Sequence, residues 1–412
     1  MPTEKLYWED PFASSFEASR ARVASFGGGP SVVLERTLFY PEAGGQLADT
    51  GTLHVGGRDL QVTDVQIDDA TGDIHHLVPD LAAALAEAGM GAELPADAAV
   101  RGTIDVARRR DHMAQHTAQH MLSRALAEVA RAETVSARLG ATSCTIDLGL
   151  ADVHEHDLAQ AEDLVNAVVM DDRLVRALFP TAAELAGMKL RREPKVQTNV
   201  RIIDVEGFDL SPCGGTHCTR TGQIGAVRIA GTERYKGKLR LSFHAGRRSL
   251  QDARAKLEVL GALAQDFTCG PLDVPTAVAK LRAELKARLE ALSMARGELV
   301  ELVAQQFLAA HPPDPGGETR LVLVREKDDV TMLRNLAGRL AARADVVAFC
   351  ASPDPATGEL AIVVQRGSAT PFDCGGWLRA AAAAQGGRGG GRPERAEGRL
   401  LAGSDLAALS RV

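Results

Sequence analysis

The chain has 412 residues, 45% of them hydrophobic and 25% charged, with a formal net charge of -7. That length allows two or three domains with cores of their own, and no apolar run reaches the roughly eighteen residues that a membrane span needs. Six scattered cysteines exclude a disulfide framework, and the N-terminus lacks the basic and apolar pattern of a secretory leader, so the expected setting is cytoplasmic with no membrane partner.

The first hundred residues read as short strands punctuated by glycine. Val32–Phe39, Gly51–Val55 and Leu60–Ile67 are β-rich runs, broken at Pro41 and Gly44-Gly45, and they predict a small glycine-rich β-barrel over residues 1–104. The alanine-rich stretch Leu81–Met90 reads as a surface helix or loop insertion. From Val106 to about Ala132 the period becomes helical, with Met121, Leu122, Leu126 and Val129 as the core-facing stripe. A strand at Ala141–Leu148, a helix near residues 155–175, and strands at Val200–Val205, Gly222–Ile229 and Lys238–Phe243 complete an α+β sandwich over 105–247.

Residues 248–312 change character. Val278, Leu281, Leu285, Leu289, Leu292, Leu299 and Leu302 recur at helical spacing between charged residues, which predicts a long helical arm, interrupted at Gly270-Pro271 and Pro275. Its apolar stripe serves either packing within the monomer or a homodimer. Residues 313–412 alternate apolar strands with a helix near 330–343, an α/β pattern, and Gly386–Arg392 reads as a flexible basic loop whose Arg388 and Arg392 can meet phosphate. Basic clusters at 108–110, 189–195, 234–240 and 247–248 keep a nucleic-acid partner open despite the acidic balance, because such contacts are local.

Two stretches carry chemistry. His116 and His120 stand four apart and share one helix face, and the downstream loop Cys213-Gly-Gly-Thr-His217 offers a thiolate and a third imidazole. Two half-sites make one site for a zinc ion, with the glycines letting the loop wrap tightly. Thr117 stands where a zinc peptidase of the HExxH type needs its glutamate, which disfavours peptide hydrolysis. Cysteine and three histidines can close a structural tetrahedron, so structural and catalytic zinc both remain open on spacing alone.

These stretches resemble the two zinc-binding motifs of the editing domain of alanyl-tRNA synthetases and of their freestanding AlaX-type relatives. Arg36–Gln46 resembles that family's glycine-rich segment, and Gly386–Pro393 the signature of the synthetase's C-terminal domain. The resemblance implies a zinc-dependent deacylase acting on tRNA(Ala) mischarged with serine or glycine, with zinc ligands His116, His120, Cys213 and His217. It also makes Thr37 the candidate partner for the serine hydroxyl, since a site that hydrogen-bonds a hydroxyl rejects alanine. Gln46 is the candidate that positions substrate or water, Asp209 orients a ligand from behind, and His112 lies one turn off the pattern. Arg388 and Arg392 fall in the tRNA-binding part. The chain begins at the barrel-like segment, leaving no room for aminoacylation, so the expectation is deacylation without charging. The rivals are a noncatalytic tRNA-binding module with structural zinc, and a phosphoesterase, which the lack of an Asp-His-His triplet disfavours.

Overall fold

Short alternating runs closed by glycine turns give short strands, and the N-terminal hundred residues form them. The computed structural model describes residues 2–87, 94, 99–194, 196 and 198–411. It is a mixed α+β structure with several small sheets, divided into two units, Met1–Gly261 and Ala262–Val412. The division falls inside the helix Arg247–Asp266.

In the first unit, the expected barrel is not closed by hydrogen bonds among the described strands. One four-stranded antiparallel sheet runs in the order Ser15–Ala18, Val100–Ile104, Gly51–Val55, Arg58–Val62, and another in the order Ala21–Phe26, Gly29–Leu34, Ile74–Leu77, Asp64–Ile67. Strands of four to six residues end before they can stagger round a closed ring. Phe39, Leu53, Leu60, Val65 and Ile74 fill the core they share. The alanine-rich stretch is helical over Leu81–Glu87; the rest of it, to Met90, lies outside the described residues.

The histidine helix spans Val106–Ala130. It starts at Asp105, whose side chain accepts from the Arg108 amide at 3.0 Å, and ends at Arg131, which takes a left-handed φ of 52°. Arg109, 1% exposed, forms a buried ion pair with Asp49, which also accepts from the Tyr40 amide at 2.7 Å. This pair pins the helix to the segment that carries Gln46. Breaking such a buried pair typically costs about 3–5 kcal/mol, because one charge is left uncompensated.

Behind the helix, the sheet ordered Thr134–Leu139, Cys144–Leu148, Lys238–Ala245, Val227–Tyr235 and the helix Glu155–Met170 enclose Met121, Leu122, Leu126, Ile146, Leu241 and Phe243. The expected strand at Gly222–Ile229 begins only at Val227, because Thr221–Ile224 makes a 3-10 turn. A three-stranded sheet, Val175–Leu178, Ile202–Val205 and Asp209–Pro212, delivers the cysteine loop from its last strand.

In the second unit, the helix Val274–Ala310 leaves Leu281, Leu285, Leu289 and Leu292 exposed. A five-stranded sheet follows in the order Thr319–Val324, Val346–Pro353, Leu360–Arg366, Arg395–Leu400, Gly387–Arg392. Alternate residues of Val346–Pro353 feed opposite faces. Val347, Phe349 and Ala351 pack with Leu378 of the helix Cys374–Gln385, while Val346, Ala348 and Cys350 pack with Leu333 and Leu336 of the helix Val330–Leu340. The glycine-rich segment is therefore an edge strand, not a loop. A Cβ at Gly389 would lie 2.8 Å from Leu378 Cδ2, and one at Gly391 2.5 Å from Ala396 Cα. Glycine serves close packing of helix on strand here, and Arg388 and Arg392 remain exposed on the edge. Among the described residues, no helix is long and apolar enough to cross a membrane.

Candidate metal centre and its cavity

His116 and His120 project from one face of the histidine helix toward the loop that leaves Pro212. The four ligand atoms of His116, His120, Cys213 and His217 all lie within 4.8 Å of one another. His116 Nε2 is 3.4 Å and His217 Nε2 3.3 Å from Cys213 Sγ. Around a tetrahedral ion with sulfur at about 2.3 Å and nitrogen at about 2.0 Å, neighbouring donors stand roughly 3.5 Å apart, so the spacing fits.

The far side of each imidazole decides which nitrogen is offered. Gln46 Oε1 accepts from the Thr216 amide at 3.1 Å and lies 2.7 Å from His116 Nδ1, so that nitrogen donates to it and Nε2 is left for a metal. Gln46 Nε2 donates to Thr216 Oγ1 at 2.8 Å, and the side chain is wholly buried. Gln46 thus holds His116 from behind; expected from sequence as a positioner of substrate or water, it is not among the residues that line the cavity beside the cluster. Thr117 does the same for His217. Its hydroxyl donates to the Met113 carbonyl oxygen at 2.8 Å, so it accepts from His217 Nδ1 at 3.2 Å and from the Cys218 amide at 3.1 Å. His120 Nδ1 is buried without a hydrogen-bond partner, and the nearest carboxylate oxygen, on Asp209, is 3.8 Å away. Asp209 is in turn gripped by Arg191 at 2.9 and 3.2 Å and by the Ser211 hydroxyl at 2.8 Å. These carboxylate and amide partners are the kind of support that fixes a metal-bound imidazole.

The loop is shaped to reach the helix. A Cβ on Gly215 would stand 2.1 Å from His116 Cε1, whereas one on Gly214 would meet nothing within 4 Å, so only the second glycine is required. Arg201 Nη1 donates to the carbonyls of Cys213 and Gly215 at 2.9 and 2.8 Å, closing the turn. Burial raises the Cys213 thiol, but the three surrounding imidazoles outweigh it and hold the pKa well below the ordinary range. Burial and the neighbouring His116 push His217 down to about 3. A thiolate beside a neutral imidazole is the state in which these side chains act as ligands.

His116, His120 and Cys213 line a cavity of about 1260 Å³ that also reaches Trp8, Phe179 and Arg192. Thr37 does not line it. Its hydroxyl accepts from the Phe39 amide at 3.0 Å and pairs with His76 Nε2 at 2.8 Å; His76 Nδ1 already donates to the Val32 carbonyl, so the threonine donates to Nε2. Thr37, the expected partner for a serine hydroxyl, is wholly buried in this structure and held by His76 and the Phe39 amide. His112, also buried, lies off the cluster with an unpartnered Nδ1. The sequence reading missed Thr117, Arg191 and Arg201. Thr117 was visible only as a missing glutamate, and Arg191 only as part of a basic run.

Several of those basic runs are consumed internally. Arg240 pairs with Asp147, Arg248 with Asp111 and Arg399 with Glu359. Arg192, Arg388 and Arg392 have no carboxylate partner among the described residues. Lys195 lies outside the described residues.

Three family models match the chain: tRNA synthetases class II (A) over residues 12–95, the threonyl and alanyl tRNA synthetase second additional domain over 200–242, and the DHHA1 domain over 318–411. The second covers the cysteine loop; none covers the histidine helix. Similar curated proteins include the alanine–tRNA ligases of Pyrococcus abyssi (34% identical, 74% of this chain and 33% of the relative) and Pyrococcus furiosus (30%, 97% and 42%). That of Thermococcus kodakarensis is 31% identical, with the same coverage of 97% and 42%. The chain therefore spans between a third and about two fifths of the length of these relatives. Among solved structures, the C-Ala domain from Aquifex aeolicus alanyl-tRNA synthetase is 25% identical with a TM-score of 0.21, covering 23% of this chain and 86% of that one.

Proposed function

Because the chain belongs to the family of alanyl-tRNA editing proteins related to alanyl-tRNA synthetase, we propose that it deacylates tRNA(Ala) mischarged with serine or glycine, acting in trans with a zinc ion. The observation that carries this reading is the convergence of His116, His120, Cys213 and His217 at a cavity that the first three line and that is far larger than an amino acid needs. His116, His120, Cys213 and His217 would hold the ion, which when bound polarises an ester carbonyl or lowers the pKa of water. Gln46 and Thr117 keep protons on the outer nitrogens of His116 and His217, so that the inner ones stay free. Arg191 neutralises Asp209 behind His120, and Arg201 fixes the loop carbonyls. The cavity walls orient the ester against this cluster.

A noncatalytic module with structural zinc is the second reading, favoured by one feature: four protein donors complete a tetrahedral shell. One assay separates the two. Serine-charged and alanine-charged tRNA(Ala) are incubated with the protein, with and without chelator. Faster loss of the serine ester, abolished by chelator, supports the enzyme; equal persistence of both esters leaves the structural module.

Residues 313–412 supply the tRNA-binding part in this reading, with Arg388 and Arg392 meeting phosphate. The arm, residues 248–312, pairs two copies through its exposed leucines, which sedimentation of the full chain tests. Residues 1–104 then form the glycine-rich N-terminal domain and residues 105–247 the editing core, within the cytoplasm.

A further inference from the structure

We propose that Phe179 is the stacking platform for the unpaired terminal base of the tRNA 3′ end, held in place by Trp8. This rests on the deacylase reading, because an ester on a terminal ribose at the metal cluster brings that nucleotide's base into the same cavity. Phe179 closes the strand Val175–Leu178, lines the cavity, and is 56% exposed. A single exposed phenylalanine needs no explanation in itself. This one is braced: its ring centroid lies 6.0 Å from that of Trp8 at 52°.

Trp8 is committed elsewhere. Its indole N–H donates to the Gly214 carbonyl at 2.9 Å, Lys5 Nζ lies 4.6 Å and the Arg201 guanidinium 5.7 Å from its ring centre. Trp8 therefore ties Phe179 directly to the cysteine loop, while Phe179 keeps an open face. Charge does not pick the ligand here, since Lys5, Arg192 and Arg201 are matched by Glu4, Glu9 and Glu193 around the same cavity. The open aromatic face does: every base has a π-face, and stacking tolerates any sequence.

The test uses the full chain carrying Trp377→Phe, so that Trp8 is the remaining tryptophan reporter, titrated with an acceptor-stem minihelix with and without its terminal adenosine. Loss of the adenosine should weaken binding to otherwise unaltered protein roughly fivefold to a hundredfold. Phe179→Ala should remove most of that difference, and Phe179→Tyr should restore it. An adenosine penalty equal in the Phe179→Ala variant and its parent overturns the platform. Charged tRNA(Ala) is assayed in parallel: an intact penalty cycle without ester loss defeats the deacylase reading alone, whereas ester loss with no penalty cycle defeats the platform alone.

Discussion

Replacing Gln46 by leucine separates a holder of His116 from a residue that touches substrate. The substitution keeps the approximate volume but removes the acceptor for His116 Nδ1–H and for the Thr216 amide, and the donor to Thr216 Oγ1. Two buried donors lose their partner, at about 1–3 kcal/mol each, so stability falls by roughly 2–6 kcal/mol. With Nδ1 unheld, His116 can carry its proton on the nitrogen that faces Cys213, and zinc affinity falls on the order of 10–100-fold. Gln46→Glu keeps an acceptor for both donors, and the Thr216 hydroxyl can turn to donate to its second oxygen, so its zinc affinity should stay nearer the parent value than that of Gln46→Leu. Competition against a chromophoric chelator reads the affinity, and urea titration of the metal-free proteins reads the stability. A Gln46→Leu protein that is less stable yet binds zinc as tightly as the parent would refute the role given to Gln46.

Gly215→Ala should abolish zinc binding, because its Cβ would overlap His116, while Gly214→Ala, with open space around it, should bind zinc within a few-fold of the parent; equal behaviour of the two contradicts the loop geometry. Thr37→Val leaves His76 Nε2 and the Phe39 amide unpaired, at about 1–3 kcal/mol each, and should cost roughly 2–6 kcal/mol in urea unfolding without changing any preference for serine over alanine esters. A changed preference at unchanged stability would return Thr37 to the site. Burial holds His76 down to about 4, below its unfolded value of 6.5, so its contribution is present above pH 6.5 and is lost as pH falls toward 4. That loss amounts to roughly 3 kcal/mol. Urea midpoints between pH 7 and 4 should show this fall, and a His76→Gln protein should show less of it; an equal fall in both excludes His76 as the cause.

The His/Cys cluster was legible because its two halves are local patterns. His116 and His120 need only helical spacing, and Cys213 and His217 only one short loop. Their supports were not, since Gln46 and Arg191 come from other segments, and Thr117, beside His116 on the helix, is paired with His217 only by tertiary packing. Thr37 shows the opposite failure: one β-branched residue beside a glycine-rich segment is equally consistent with either face of its strand, and the pairing with His76 decides it. The glycine run at 387–391 was read as flexible because composition alone cannot distinguish a loop from a strand stripped of side chains to admit a helix. The helix and strand positions around the core came closer, since burial period sets them, while ends such as Val227 depend on turn geometry.

Zinc-edge X-ray absorption of the loaded full chain tests the shared centre most directly. The predicted result is one zinc per chain with a single sulfur at about 2.3 Å and nitrogens at about 2.0–2.1 Å, the sulfur lost in Cys213→Ala. A shell without sulfur, or with the sulfur retained in that variant, would contradict it.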